Sequence, residues 1–504
     1  MEPLPNSTLP QNLQKTSSYA FDVFKLATGN SIAQGLIVLA SPLLTRLYTP
    51  EAFGLMTLFI SITGIFRVIS CLRYEFAIVL PESNEEAANL LGGSMLVVLL
   101  ITGVSALIVI LGGGPLLSLF NAEQLQPFLW MMPLTIFTGG VFLALNYWNT
   151  RTKQFTRLSI AQVINSVAVI VVQLVLGLIG FVSSGSLIGA YVLGSLLGTV
   201  ILGGLIWHDD GAFLCQSIRF RDILTQLKRH RNFPLYDSWA ALLNNISWQL
   251  PAFLLAIFFS QTEVGYYALS FRLLKLPMSL IGVSIGQVFF QRAAEAKPRG
   301  ELAAVVESNF RYLIVLGLMP FFLLSIVGKE LFLMVFGMNW GEAGVYAQIL
   351  SIWIFFWFIS SPLSTLFRVL EKQKFSLVLN IVIFISRILA LGIGAAFGSA
   401  RLALLLFALS GILVYGYLSV SIGIASGVSL RKIWGMFFTN VLICLPAGGL
   451  LLLLKYYSFP AWAILLATVL IVAVYYIYHG IYTFSALSHF ADIRRMLNDR
   501  FQRR

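Results

Sequence analysis

About fourteen apolar stretches, each long enough to cross a bilayer, run from Phe24 to Tyr482, and the loops between them alternate between basic and charge-poor. Spans are expected at about 19–47, 53–79, 87–112, 128–150, 158–182, 185–207 and 235–259. A second set follows at about 265–290, 308–335, 345–369, 376–397, 401–426, 433–454 and 460–483. With 58% hydrophobic and 11% charged residues, the chain has too little polar material to coat a soluble globule of 504 residues. The expected class is an all-α polytopic membrane protein.

Lysine and arginine in the short loops set the orientation. One set of loops carries Arg151, Lys153 and Arg157, then Arg219 to Arg231, then Arg292, Lys297 and Arg299, and it continues through Lys372, Lys374, Arg431 and Lys432 into a basic tail. The opposite set offers only Arg46, Lys329, Arg401 and Lys455. Both termini and the basic loops are therefore expected in the cytoplasm. The net charge of +12 is mostly the sum of these loops, which insertion alone explains without a nucleic-acid partner. The polar segment 1–18 has no apolar core or cleavage site of a signal peptide, so the first span is expected to stay and act as its own insertion signal.

The expected organisation is a tail (1–18), a first lobe of six spans (19–207), a cytoplasmic linker (208–234), a second lobe of six spans (235–427), two further spans (428–483) and a basic tail (484–504). Within the linker, Phe220, Ile223, Leu224 and Leu227 alternate at helical spacing with Arg219, Arg221, Lys228 and Arg229. That pattern suits a helix resting on the membrane surface, or a plain charged linker. The lobes echo each other. Asn30 and Gln34 in the first span are spaced i, i+4, as are Asn245 and Gln249 in the seventh, so each pair shares a helical face near the bilayer centre. Each helix is followed by a tight turn, Thr49 to Gly54 in one case and Gln261 to Gly265 in the other, with Leu58 and Leu269 four residues beyond the glycines.

Charges inside the spans are the candidate functional groups. On the expected bounds Arg67 lies about 20 Å from either interface at 1.5 Å per residue, too deep to snorkel along the lipid face. Arg387 and Lys275 are similarly deep, and Arg272 and Lys275 share a face with Ser279, Gly282 and Gly286. Together these cations would line a cavity, whereas Arg73 and Lys25 lie nearer the cytoplasmic ends and are weaker candidates. The acids available for ion coupling, by H+ or Na+, are Asp237, Glu51 and Glu263, all near span ends, and Glu75 lies close to Arg73. The alternative is that each cation has a salt-bridge partner and serves packing. An unpaired cation in a dry site costs several kcal/mol, so an excess of positive charge implies a water-filled cavity or an anionic ligand. Prolines 42, 133, 251, 277, 320, 362 and 446 fall within spans, where each can kink its helix or be an ordinary membrane-helix proline. The three cysteines and four histidines fall at scattered positions, so neither a disulfide nor a metal site is expected, and no cofactor is implied.

The segment Pro42 to Gly54, reading PLLTRLYTPEAFG, and the segment Arg73 to Pro81, reading RYEFAIVLP, resemble the start of bacterial polysaccharide-export flippases of the O-antigen (Wzx) type. Asn232 to Asp237, Gly265 to Leu269 and Lys275 to Pro277 resemble the corresponding part of the second half, and span count and loop pattern extend the likeness over nearly the whole chain. The resemblance implies the fold of multidrug and oligosaccharidyl-lipid exporters: two six-helix bundles around a central cavity plus two added helices, working as a monomer. It implies an undecaprenyl-diphosphate-linked oligosaccharide as substrate, turned to the outer leaflet of the bacterial plasma membrane, with a polysaccharide polymerase and a chain-length regulator as partners. Arg67, Arg272, Lys275 and Arg387 would then hold the diphosphate, and Asn30, Gln34, Asn245 and Gln249 the glycan. Rival readings are a drug/cation antiporter, which would want intramembrane carboxylates, a peptidoglycan-precursor flippase of the same fold, and a membrane polymerase or glycosyltransferase. The enzyme reading lacks a nucleophile–base pair or a phosphate loop in the sequence.

Overall fold

The computed structural model describes residues 32–480, apart from the side chain of Gln373, and is helical throughout with no strand among them. That is the outcome the bilayer enforces, because a helix satisfies its backbone hydrogen bonds within one segment. Twelve helices among the described residues are long and apolar enough to cross a membrane, or thirteen when one bent pair is counted as a span. A shorter apolar helix, α1 (Ile32–Leu47), precedes them. The chain is a multi-pass membrane protein. Its described residues form two compact units, one up to Ala268 and the other from Leu269.

The first unit continues with α2 (Pro50–Val68), α3 (Asn84–Leu119), α4 (Met131–Thr152), α5 (Phe155–Leu178), α6 (Ser184–Ser217), α7 (Phe220–Arg229) and α8 (Ser238–Phe258). The start of α2 is set by Thr49, whose hydroxyl accepts from the Ala52 amide at 3.3 Å, by Pro50 at the first helical position and by Glu51 in the first turn. Its end departs from expectation. The apolar pattern continues to residue 79, but Leu72 and Arg73 take left-handed backbone angles (φ 45° and 64°), which a right-handed helix cannot accommodate. Residues 74–79 then form a 3₁₀ turn, Tyr74–Val79, so the span expected at 53–79 is a shorter helix followed by a folded turn. Cys71, Tyr74, Ala77 and Ile78 from this region pack with Ala88 and Trp148 in one buried cluster.

Helix α6 extends about three turns beyond the expected span end at 207, carrying Asp209 and Asp210 to the Arg157 guanidinium at 2.6 and 3.1 Å. The amphipathic linker does form a helix, α7. Ile223 and Leu227 seat on α3 at Gly92 and Gly93, where a Cβ would come within 3.2 and 2.9 Å of them. Burying Ile223 in this way contributes about 2 kcal/mol. Phe220 and Leu224 stay exposed beside the basic residues.

Helix α9 (Gln261–Leu274) contains the unit boundary, and the second unit adds α10 (Val283–Ala296), α11 (Leu302–Phe336), α12 (Gly341–Leu363), the single turn α13 (Leu366–Val369), α14 (Gln373–Ala396), α15 (Ala400–Ala425), α16 (Leu430–Tyr456) and α17 (Ala461–His479). The expected eighth span is the bent pair: α9 stops at Leu274 and the helix resumes beyond Pro277 through a π turn, Met278–Gly282, at 42°. Proline removes an amide donor and crowds the preceding turn, which is why the break falls there. The last two helices dock on α11, where the hydroxyls of Tyr475 and Tyr476 donate to the carbonyls of Val315 and Leu316 at 3.0 and 2.7 Å.

Candidate functional site

In the first unit, the polar residues of α2 and α8 meet. The Ser61 hydroxyl donates to Gln249 Oε1 at 3.0 Å, and Gln249 lies against Gly64, so this glutamine serves the packing of α8 on α2. Asn245, one turn earlier, is half-buried, and its Oδ1 has no hydrogen-bond partner among the described residues. Gln34 is half-buried on α1, while Asn30 and Lys25 lie outside the described residues.

Arg67 occupies the last turn of α2, not the middle of a longer helix, because α2 ends at Val68. The depth worked out from a span of 53–79 is therefore too great. Its stem lies across α4 at Gly139, where a Cβ would come 2.6 Å from Arg67 Cδ. The side chain is exposed and forms no ion pair among the described residues. A flexible arginine laid along a glycine notch, with its head free, is suited to meeting an anion.

Beyond that turn sits a compact charge cluster. Arg73 Nε donates to Asp237 Oδ2 at 2.8 Å, its Nη1 is 3.6 Å from Glu75 Oε1, and its guanidinium lies 4.1 Å from the centre of the Phe76 ring. The sequence placed Glu75 close to Arg73 but did not match Asp237 to it. Asp237 ends the π turn Phe233–Asp237 that opens α8, and it is 47% exposed. Glu75 is fully buried, and neither carboxylate oxygen has a hydrogen-bond partner among the described residues. Burial pushes its carboxyl up to about 7. Its own backbone amide, outside hydrogen-bond geometry, and the Arg73 guanidinium pull it down, and the Asp237 charge pushes it further up. Glu75, the third residue of the RYEFAIVLP string, was not among the acids expected to titrate, because its burial is set by packing and not by its place in the sequence.

The other two expected acids have local roles. Glu51 lies in the first turn of α2 and accepts from Gln124 Nε2 at 2.9 Å, and Glu263 lies in the first turn of α9, where a carboxylate complements the helix dipole. The two echoing turns touch each other. A Cβ on Gly54 would collide with the Gln261 carbonyl, and one on Gly265 with the Pro50 carbonyl.

In the second unit Lys275 follows the last residue of α9 at the bend and is exposed, while Arg272, one turn before it, is half-buried. Arg387 differs. It is 3% exposed, its Nη2 donates to the Tyr415 hydroxyl at 3.2 Å, and it lies 5.8 Å from the Phe407 ring centre, so it joins α14 to α15. The structure thus pairs Arg73 with Asp237 and Gln249 with Ser61, leaves the heads of Arg67 and Lys275 exposed, and packs Arg387 away.

A family model described as a polysaccharide biosynthesis protein matches residues 43–345. The chain belongs to this polysaccharide biosynthesis protein family. The expected resemblance to polysaccharide-export proteins therefore holds for the family, and the match covers most of the residues on which it was read. Solved structures share the fold. A lipid II flippase, MurJ, in an inward closed conformation superposes with a TM-score of 0.65 at 13% identity, over 92% of this chain and 98% of that one. An inward-facing multidrug resistance transporter of the MATE family and MOP superfamily gives 0.62 at 14% identity, over 80% and 96%. A MATE transporter from Vibrio cholerae gives 0.54 at 14%, over 82% and 98%. No curated protein matches the chain. The fold of this family member is that of the MOP exporters.

Proposed function

We propose that this protein is a flippase that moves an undecaprenyl-diphosphate-linked oligosaccharide from the cytoplasmic to the outer leaflet of a bacterial inner membrane by alternating access. The observation that carries the reading is the polysaccharide biosynthesis family match on a MOP exporter fold. The exposed guanidinium of Arg67 and the exposed ammonium of Lys275 at a helix bend support it, because a diphosphate is recognised by charge-assisted hydrogen bonds from such groups. In this reading both termini and the basic loops lie in the cytoplasm. Ion coupling is assigned to H+ or Na+. The solved structures that share the fold are a flippase and multidrug transporters, which favours transport over sugar polymerisation or transfer.

Transfer of a lipid-linked oligosaccharide between leaflets of reconstituted vesicles tests the reading. Intact protein is expected to accelerate transfer, and Arg67→Ala and the Arg272→Ala, Lys275→Ala pair to slow it while remaining folded. Glycan elongation without leaflet transfer would replace the reading with an enzymatic one. The structural likeness to the lipid II flippase makes lipid II the competing cargo in the same assay.

A further inference from the structure

We propose that Glu75 is a proton-binding site that governs the Arg73–Asp237 ion pair and, through it, the seating of the turn at 233–237 that opens α8. The geometry carries this. A fully buried carboxylate with neither oxygen hydrogen-bonded is costly when ionised. The cation paired with it among the described residues, Arg73, directs its Nε to Asp237 at 2.8 Å and holds its Nη1 at 3.6 Å from Glu75, beyond hydrogen-bond reach. This is the arrangement of a protonated Glu75, with the guanidinium committed to Asp237.

Loss of the proton leaves a bare charge in the core. Arg73 satisfies it by closing the remaining gap, on the order of an ångström, to form a charge-assisted hydrogen bond. That movement turns Nε away from Asp237. Arg73 is poised for it: its backbone is held in a left-handed conformation, and its exposed neighbour Asp237 loses a partner without becoming buried. The balance is simple, one proton taken up and one O–H bond formed on Glu75, with no other reactant.

The other groups around Glu75 do not take its place. From α4, Tyr147 packs on Phe76 with tilted rings whose centres are 4.7 Å apart, and it lies within the field of Glu75. Cys71 in the preceding turn also feels that charge, and burial pushes its thiol up, away from ionisation. Arg151 of α4 is spent on the carbonyls of Ile78, Pro81 and Ser83 at the far end of the turn. On α3, Glu86 pairs with Arg229 of α7. The π turn contributes Asp237. Burial pushes the Glu75 carboxyl up to about 7, which puts the transition in the neutral range.

Amide hydrogen exchange of the intact protein in nanodiscs, read at residues 233–240 and corrected for the intrinsic pH dependence of exchange, tests the proposal without any substrate. It therefore stands or falls separately from the flippase reading. Protection of this segment is expected to fall several-fold as pH rises through neutrality. Glu75→Gln, a mimic of the protonated acid, should hold it protected across the range, and Asp237→Asn should leave it unprotected throughout. A wild-type segment with no pH step, or a step that persists in Glu75→Gln, overturns the proposal. Infrared titration of wild-type protein with isotope-labelled glutamate needs no variant. A protonated carboxyl band that disappears near neutrality is expected, and titration of every glutamate in the ordinary acidic range overturns the assignment.

Discussion

Gly54 and Gly265 pack against each other's backbone: each would, with a Cβ, strike a carbonyl of the other's turn, Gln261 for Gly54 and Pro50 for Gly265. The two turns that echo in sequence are thus two faces of one contact at the starts of α2 and α9. The contact is reinforced nearby by Gln261, whose Nε2 donates to the Phe120 carbonyl at 2.7 Å. Small residues that let helix backbones approach are the usual means of packing within a membrane, where apolar burial gives helices no preference for one another over lipid.

Gly54→Ala and Gly265→Ala should each destabilise the protein by about 1–3 kcal/mol, because the obstructing atom is backbone and cannot swing aside. The double variant should lose less than the sum, since both changes open the same contact. Thermal unfolding in detergent measures all three.

Arg67→Ala should reduce leaflet transfer by roughly tenfold or more, the effect of losing one hydrogen bond to a charged group, with little change in melting temperature. Gly139→Ala tests the notch beneath it. Its Cβ would displace the flexible Arg67 stem, so transfer should fall several-fold at nearly unchanged stability. Unchanged transfer in both variants would assign Arg67 to the surface.

Glu75 makes stability depend on pH with a definite sign. Its carboxyl is raised in the folded protein from 4.5 to about 7, so the folded state holds the proton more tightly than the unfolded state. The stabilisation is fully present below 4.5 and is lost as pH rises through 7, a change of about 3 kcal/mol over that window. Glu75→Gln should therefore raise the melting temperature relative to wild type at pH 8 more than at pH 5. A parallel shift at both pH values would show that the two side chains differ only in packing.

On α7, Ile223→Ala should cost about 2–4 kcal/mol by opening space against Gly92 and Gly93. Tyr74→Phe, which removes the 3.0 Å hydrogen bond to the Leu227 carbonyl, should cost about 1 kcal/mol. Replacing the exposed Phe220 and Leu224 by serine should leave unfolding in detergent unchanged and weaken contact with anionic vesicles. Chemical denaturation and vesicle co-flotation separate these outcomes.

Arg387→Lys should lower stability and leave the apparent affinity for substrate unchanged, because lysine lacks the planar group that meets Tyr415 and Phe407. A large affinity loss at normal stability would instead return Arg387 to the cavity.

Composition and the run of apolar segments by themselves determined that this chain is an all-helical membrane protein, because a span's length and polarity follow from the thickness and dryness of the bilayer. The break at Pro277 and the helix at 220–229 were also legible, since both arise from local rules of proline geometry and helical periodicity. What lay beyond local rules was decided by tertiary packing. Hydropathy cannot see that Leu72 and Arg73 turn left-handed and end α2 at Val68, so the apolar run to residue 79 gave Arg67 too much depth. Nor does sequence separation show that Asp237 reaches Arg73 from 164 positions away, or that Arg387 meets a tyrosine hydroxyl between two helices. A charge in a membrane protein is defined by its partners and its access to water, and both are properties of the folded chain.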